Sequence, residues 1–379
     1  MIWLGAVGVV LLGIAAAPYA ICLVLISVLD IGRPTGEKAP YEPTVSIVLP
    51  TYNEEAIVEK RLENLLAQDY PTDKLEVIVV DSGDDGTADL ARNVLERTGS
   101  CDYLVIEEAS RRGVAAAVNV AIERATGELV FRTDCDSLID ENAIREAAGN
   151  FHDPSIGAVT GRQAEVLGGS VVEQDYRDLQ TKLQLLESRL DSTFIVHGPC
   201  FMFRRSLFRS LPHDSLADDT EIAVNVRRQG YRVVLDPAVR FTESGTSRFR
   251  ARRRRKDRRA MGLLDLLARN RNLVGTNGLY GSFVLPMNGW MMWISPWLAA
   301  IGLLCVFAGL LPFGPLALCV PLTIAIGGLL GQYEALGPLQ PLHALSDSMV
   351  SLLVASIRLR EEHDGLWELD RTSREVFDP

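Results

Sequence analysis

Two stretches of this chain have no charged side chain, and between them the hydrophobic positions recur in short, regular blocks. Residues 2–29 are uniformly uncharged and exceed the ~20 residues that span a bilayer. Residues 272–333 are also uncharged, with Pro312, Pro315 and several glycines near the middle, which predicts two spans joined by a tight turn. A third apolar stretch, 339–357, contains His343 and Asp347. An aspartate at mid-bilayer costs about 2.5–3.5 kcal/mol, so this stretch is expected to be an interfacial or bundle-packed helix.

From residue 44 to about 160 the pattern alternates between two periods. TVSIVLP (44–50), LEVIVVD (75–81), DYLVIEE (102–108) and ELVFRTD (128–134) are apolar runs of strand length. The segments between them, 54–68, 86–99 and 114–125, have helical spacing; the first puts Ile57, Leu62, Leu65 and Leu66 on one face. Strand and helix alternating at this spacing predict right-handed crossovers and a mainly parallel α/β sheet, with ligands at the carboxyl ends of its strands. Polar residues follow three of those ends: Pro50-Thr51-Tyr52-Asn53-Glu54, Asp81, and Asp134-Cys135-Asp136. The first turn lacks the G-x-G-x-x-G of a dinucleotide site, which argues against NAD.

Charge adds orientation. Nine basic residues fall within 248–259, just before the second uncharged block, and the positive-inside rule puts them and the central region in the cytosol. The first block has no basic leader and no clean cleavage site, so it is read as a retained anchor rather than a signal peptide. The six cysteines have no metal or disulfide spacing and are expected to be buried thiols. A net charge of −11, with 5 Lys against 33 Arg by count of the sequence, fits a salt-adapted or GC-rich source and gives no sign of a nucleic-acid partner.

Asp134 and Asp136 would repel each other unless a cation sat with them, and hard carboxylate oxygens suit Mg²⁺ or Mn²⁺. Four segments in order, VSIVLPTYNEE, VIVVDSGDDGT, ATGELVFRTDCDS and LADDTEIAVNVRRQGYRV, resemble the family 2 inverting glycosyltransferases of the GT-A fold over roughly residues 44–262. The resemblance implies that Asp134 and Asp136 hold the metal and that Asp134 reaches the donor through it. It further implies that Pro50, Thr51, Tyr52, Glu54 and Asp81 form the nucleoside pocket for a UDP- or GDP-sugar, and that Asp219, beside Asp218, is the general base. HGPCFMFRRSLF (197–208) is similar to the acceptor-side segment, with His197 a candidate contact. Where the family has a Lys, RRGVAAAVN has Val114, and Arg111 or Arg112 are the substitutes at hand.

The Q-x-x-R-W of processive polysaccharide synthases corresponds to Arg255, Arg258 and Arg259, so only its arginine is kept. That run reads as an amphipathic interfacial helix, with Met261, Leu263, Leu264, Leu266 and Leu267 towards lipid and arginines for anionic phosphate.

The expected organisation is a transmembrane helix (1–30), a cytosolic GT-A domain (44–245), a basic interfacial helix (246–275), two transmembrane helices (279–333), a third membrane-associated helix (339–358) and a tail (359–379). The expected function is metal-dependent transfer of a sugar to a polyprenyl- or dolichyl-linked acceptor, with its hydroxyl favoured as the nucleophile, by a multi-pass protein of the cell membrane. The alternatives are a processive polysaccharide synthase and an inactive nucleotide-sugar-binding scaffold.

Overall fold

The computed structural model of the protein describes residues 2–31, 36–167, 171–244 and 249–359. After helix α1 (Ile2–Val28) the chain runs β1 (Val45–Thr51), α2 (Val58–Leu66), β2 (Leu75–Asp81), α3 (Thr87–Thr98), β3 (Asp102–Glu107), α4 (Val114–Arg124) and β4 (Leu129–Arg132). There follow β5 (Ser137–Ile139), α5 (Ala143–Gly149), β6 (Ile156–Leu167), α6 (Val171–Leu190), β7 (Phe201–Arg204), α7 (Asp218–Arg228) and β8 (Arg232–Ser244). The rest is helical: α8 (Phe249–Arg269), α9 (Leu285–Gly289), α10 (Ser295–Leu310), α11 (Cys319–Gln332) and α12 (Gln340–Arg358). The tail, 360–379, and the basic residue Arg248 lie outside the described residues.

Among the described residues, eight strands form one sheet in the order β3-β2-β1-β4-β7-β6-β8-β5. The first four are parallel, as expected from their crossovers, whereas β7 runs antiparallel to both β4 and β6, and β5 antiparallel to β8. The sheet is therefore GT-A-like and mixed, because the connection through α6 returns the chain to the end of the sheet where β6 finishes, and β7 starts back from there. Strand residues alternate between two cores: Ile47 and Leu49 pack under α2, α3 and α5, while Val48 packs under α4 and α7. Gly99 ends α3 in the left-handed region (φ 54°), its N–H donating to Leu95 O, a conformation that costs a side chain more than it costs glycine.

Among the described residues, two helical segments, Ile2–Val28 and Tyr280–Gln332, are long and apolar enough to cross a membrane. The second breaks at Gly314 (φ 61°), between Pro312 and Pro315, where the sequence predicts the turn. Glycines bring α1 and α10 into backbone contact: a Cβ on Gly8 would lie 2.6 Å from Gly302 O, and one on Gly309 would lie 2.4 Å from Gly5 N.

The leucines of α8 do not face lipid. Leu264 and Leu266 are fully buried, and Met261, Leu263 and Leu267 pack partly buried beside them, because α12 and the segment before α10 cover that face. The basic side of α8 turns to protein as well. Arg253 and Lys256 both reach Asp347 of α12, at 2.9 and 2.6 Å, which supplies the counter-charge that this aspartate needs inside a packed helix pair. Cysteine burial also varies: Cys22, Cys135 and Cys200 are buried but Cys319 is exposed, and no disulfide joins any of the six.

Candidate active site

The parallel register sets the donor side. Thr51 at the end of β1 lies beside Asp81 at the end of β2, and its hydroxyl donates to Asp81 Oδ1 at 2.7 Å. Both are buried, and burial is the main influence raising the Asp81 carboxyl above its usual range. Pro50 occupies the preceding register position, opposite Val80. The turn after β1 passes through the left-handed region at Asn53 (φ 53°), whose side-chain oxygen accepts the Asp84 N–H. Glu54 is buried, with its N–H bonded to Thr87 Oγ1. Arg111 lies 3.7 Å above the ring of Tyr52, while Arg112 pairs with Glu108. Arg111 thus stands closer to this turn's chemistry than Arg112 does.

At the end of β4 the two aspartates of D-x-D turn to different partners. Asp134 Oδ1 lies 2.7 Å from Nη1 of Arg132, whose Nη2 donates to Asp218 Oδ2 at 3.0 Å. Asp136 lies 3.8 Å from Nη2 of Arg255. Beneath them the wholly buried Arg61 donates to the Thr133 hydroxyl, which itself donates to Pro199 O at 2.6 Å, fixing the turn that carries both aspartates.

Asp218 and Asp219 form the first turn of α7, where the helix dipole favours anions. Gly198 N–H donates to Asp219 Oδ2 at 2.9 Å and Thr220 N–H to Oδ1 at 2.6 Å. Burial and the adjacent Asp218 push the Asp219 carboxyl up to about 6, against the pull of Arg132. A carboxylate so placed is charged at neutral pH and still basic enough to take a proton.

A second cluster has the opposite sign. Glu243, buried at the end of β8, pairs with Arg255, with Arg259 at 3.0 Å and with Arg177 of α6 at 4.0 Å. These arginines hold its carboxyl well below the usual range against the opposing effect of burial. His197 lies beside this group, its Nε2 3.1 Å from Gln184 Oε1 and its ring against Phe241. Burial above all, and then Arg177 and Arg259, lower it to about 3, so it is neutral at physiological pH. Arg258 is lowered to about 10 by burial, with Arg259 and Arg255 adding to the effect.

One cavity of ≈ 290 Å³ joins these groups. Asp134, Asp219, Arg255, Arg258, Arg259 and His197 line it, together with the apolar side chains of Leu183, Met287, Met291 and Leu352. Asp218, Asp219, Asp134, His197 and the three arginines therefore meet, with Asp136 outside the lining but 3.8 Å from Arg255. Pro50, Thr51, Tyr52, Glu54 and Asp81, at and after the carboxyl ends of β1 and β2, are not part of that lining. Arg132, Arg177 and Glu243 were not foreseen as parts of the site. Their signal is a charged residue at the border of an apolar strand or within an amphipathic helix, where burial demands a partner.

Among the described residues, no three His, Cys, Asp or Glu side chains converge to hold a metal unaided. Asp134 and Asp136 nonetheless fit Mg²⁺ or Mn²⁺, because such ions bind through one or two carboxylates and take waters and substrate phosphates for the rest.

Residues 46–211 match the family described as Glycosyl transferase family 2, and residues 129–330 match Glycosyl transferase family group 2. The chain is 27% identical over 202 residues to a poly-beta-1,6-N-acetyl-D-glucosamine synthase of Staphylococcus aureus, covering 51% of this chain and 48% of that protein. It is 27% identical over 193 residues to an N-acetylglucosaminyltransferase of Azorhizobium caulinodans, covering 49% and 48%. The chain thus spans about half the length of the curated relatives it matches. Among solved structures, the mannosyltransferase PcManGT of Pyrobaculum calidifontis, in complex with GDP-Man and Mn2+, superposes with a TM-score of 0.79 and 29% identity over 94% of this chain and 98% of that one. With these matches, and with its motifs gathered at the strand ends of a GT-A-like sheet, the chain belongs to the family 2 glycosyltransferases.

Proposed function

We propose that the protein is a metal-dependent inverting glycosyltransferase that moves a sugar from a UDP- or GDP-sugar to a lipid-linked acceptor at the cytosolic face of the membrane, its apolar helices making it a multi-pass membrane protein. The observation that carries this reading is the cavity, whose lining combines the carboxylates Asp134 and Asp219, the guanidinium groups of Arg255, Arg258 and Arg259, and the apolar side chains of Leu183, Met287, Met291 and Leu352. A polar reacting end, an anionic link and a hydrocarbon chain would each find a matching surface in that lining.

In this reading Thr51, Tyr52, Glu54 and Asp81, with Pro50 shaping the turn, hold the nucleoside, and Asp134 and Asp136 hold Mg²⁺ or Mn²⁺. When bound, the metal supplies Lewis-acid neutralisation of the departing diphosphate. Asp219 takes the proton of the acceptor hydroxyl as its oxygen bonds to the anomeric carbon and the bond from that carbon to the diphosphate breaks. The backbone N–H groups of Gly198 and Thr220 fix the orientation of this carboxylate. His197, neutral and held by Gln184, is a positioning contact on the acceptor side. Arg255, Arg258 and Arg259 face the anionic link of the acceptor.

Because the Pyrobaculum structure holds GDP-Man and Mn2+, GDP-mannose is the first donor to try. The test is release of nucleoside diphosphate by the full chain in lipid nanodiscs with Mn²⁺, comparing polyprenyl-linked acceptors with free oligosaccharides. Turnover confined to the lipid-linked acceptors supports the reading. A ladder of lengthening polysaccharide would favour the processive alternative, which the Staphylococcus relative supports.

A further inference from the structure

We propose that Arg132 is a resident counter-cation that keeps the free protein from taking up a divalent metal, so that metal enters together with the nucleoside diphosphate. This inference rests on the metal reading of Asp134 and Asp136 given above.

Arg132 is the last residue of β4 and only 4% exposed. Its Nη1 stands 2.7 Å from Asp134 Oδ1, and its Nη2 donates to Asp218 Oδ2 at 3.0 Å. One guanidinium thus ties the D-x-D motif to the pair of aspartates that begins α7. Room for it depends on glycine at position 198, since a Cβ there would lie 2.0 Å from Nη1.

Two features make the Asp134 contact exchangeable. Neither Nη1 nor Nε makes a well-aligned hydrogen bond, so the 2.7 Å contact with Asp134 rests chiefly on charge. The contact with Asp218 is a hydrogen bond, so the guanidinium keeps an anchor when Asp134 turns away. Asp136 repeats the arrangement more weakly, 3.8 Å from Arg255, which Glu243 also holds.

A dication bound to Asp134 alone would stand close to a buried guanidinium that has little water to screen it. A diphosphate changes that balance, because its negative charge offsets both cations and its oxygens complete the metal's shell. Arg132 then remains with Asp218 and Asp219, which it helps to hold together at the start of α7.

The experiment counts bound Mn²⁺ by the loss of the free-ion electron paramagnetic resonance signal, using the full chain in detergent with and without GDP or UDP. Wild type is expected to bind Mn²⁺ at least about tenfold more tightly with a nucleoside diphosphate than without. Arg132→Gln should bind Mn²⁺ alone at least about tenfold more tightly than wild type, and Mn²⁺ without nucleotide should raise its melting temperature. Arg132→Lys keeps the charge but loses the fork, so it should fall between the two, and it decides the matter if the Gln variant does not fold. Equal affinities for Mn²⁺ alone in wild type and the folded variants would overturn the proposal. Failure of wild type to take up Mn²⁺ with either diphosphate would overturn the metal reading itself, and this inference with it.

Discussion

Two clusters on one cavity are near mirror images in charge. Around Arg132 stand the carboxylates of Asp134, Asp218 and Asp219; around Glu243 stand the guanidinium groups of Arg177, Arg255 and Arg259. In each, a buried central charge is outnumbered by the opposite sign. The first therefore keeps a negative surplus, which suits a metal, and the second a positive surplus, which suits phosphate. The D-x-D turn links them, with Asp134 beside Arg132 and Asp136 beside Arg255. The difference shows how a net-acidic chain can hold an anionic substrate: sign is sorted locally, within a few ångströms.

The sharpest way to break the comparison is to remove one charge from the anionic side. Asp219→Asn is expected to lower turnover by about 10²–10⁴ while leaving nucleoside diphosphate affinity nearly unchanged, because it removes the proton acceptor but not the metal ligands. Full turnover on a sugar hydroxyl would reduce the anionic cluster to a charge store. On the cationic side, Glu243→Gln leaves three arginines without their central anion, and a loss of about 3–5 kcal/mol is expected in denaturant unfolding. Inorganic pyrophosphate should restore part of that loss; no effect of pyrophosphate would mean that the cluster does not receive phosphate.

A pH test sharpens the contrast, since His197 belongs to the cationic side. Its native pKa of about 3 lies below its ordinary 6.5, so in acid the unfolded chain binds a proton that the native protein refuses. Its contribution to stability is intact above 6.5 and is lost as pH falls towards 3, by at most ~1.4 kcal/mol per pH unit. His197→Gln should flatten the fall in unfolding midpoint between pH 7 and 5, and an unchanged slope would assign the acid sensitivity to other groups. The smallest effect is expected for Asp347→Asn, which loosens α12 from Arg253 and Lys256 away from both clusters. A loss of about 1 kcal/mol, with turnover preserved, is the expected result.

The sequence revealed the parallel half of the sheet because strands buried on both faces read as continuous apolar runs, as in LEVIVVD. It concealed the other half: β5 has three residues, and β6 mixes Arg162, Gln163 and Glu165 into its run. The aspartates of the candidate site were legible for a related reason, since each follows an apolar strand or opens a helix. Their counter-charges were not, because pairing across sequence distances such as Arg132 to Asp218 leaves no periodicity. The basic face of α8 was legible as a charge run, but its protein partners were not. Arg255 and Arg259 pair with Glu243 at the end of the preceding strand, and Arg253 and Lys256 with Asp347 about 90 residues on, contacts that no local pattern announces.

The glycine contacts between α1 and α10 bear on the order in which the chain is made. Gly5 and Gly8 leave the ribosome ahead of the sheet, and Gly302 and Gly309 follow roughly 300 residues later, about 15–60 s at ~5–20 residues per second. During that interval α1 has no partner for its glycine face, and the whole sheet emerges and can fold while it waits. The pairing is then a late clasp, closing over a sheet already built, and a lesion at Gly302 or Gly309 should trap a protein whose strands are formed but whose helices have not been joined.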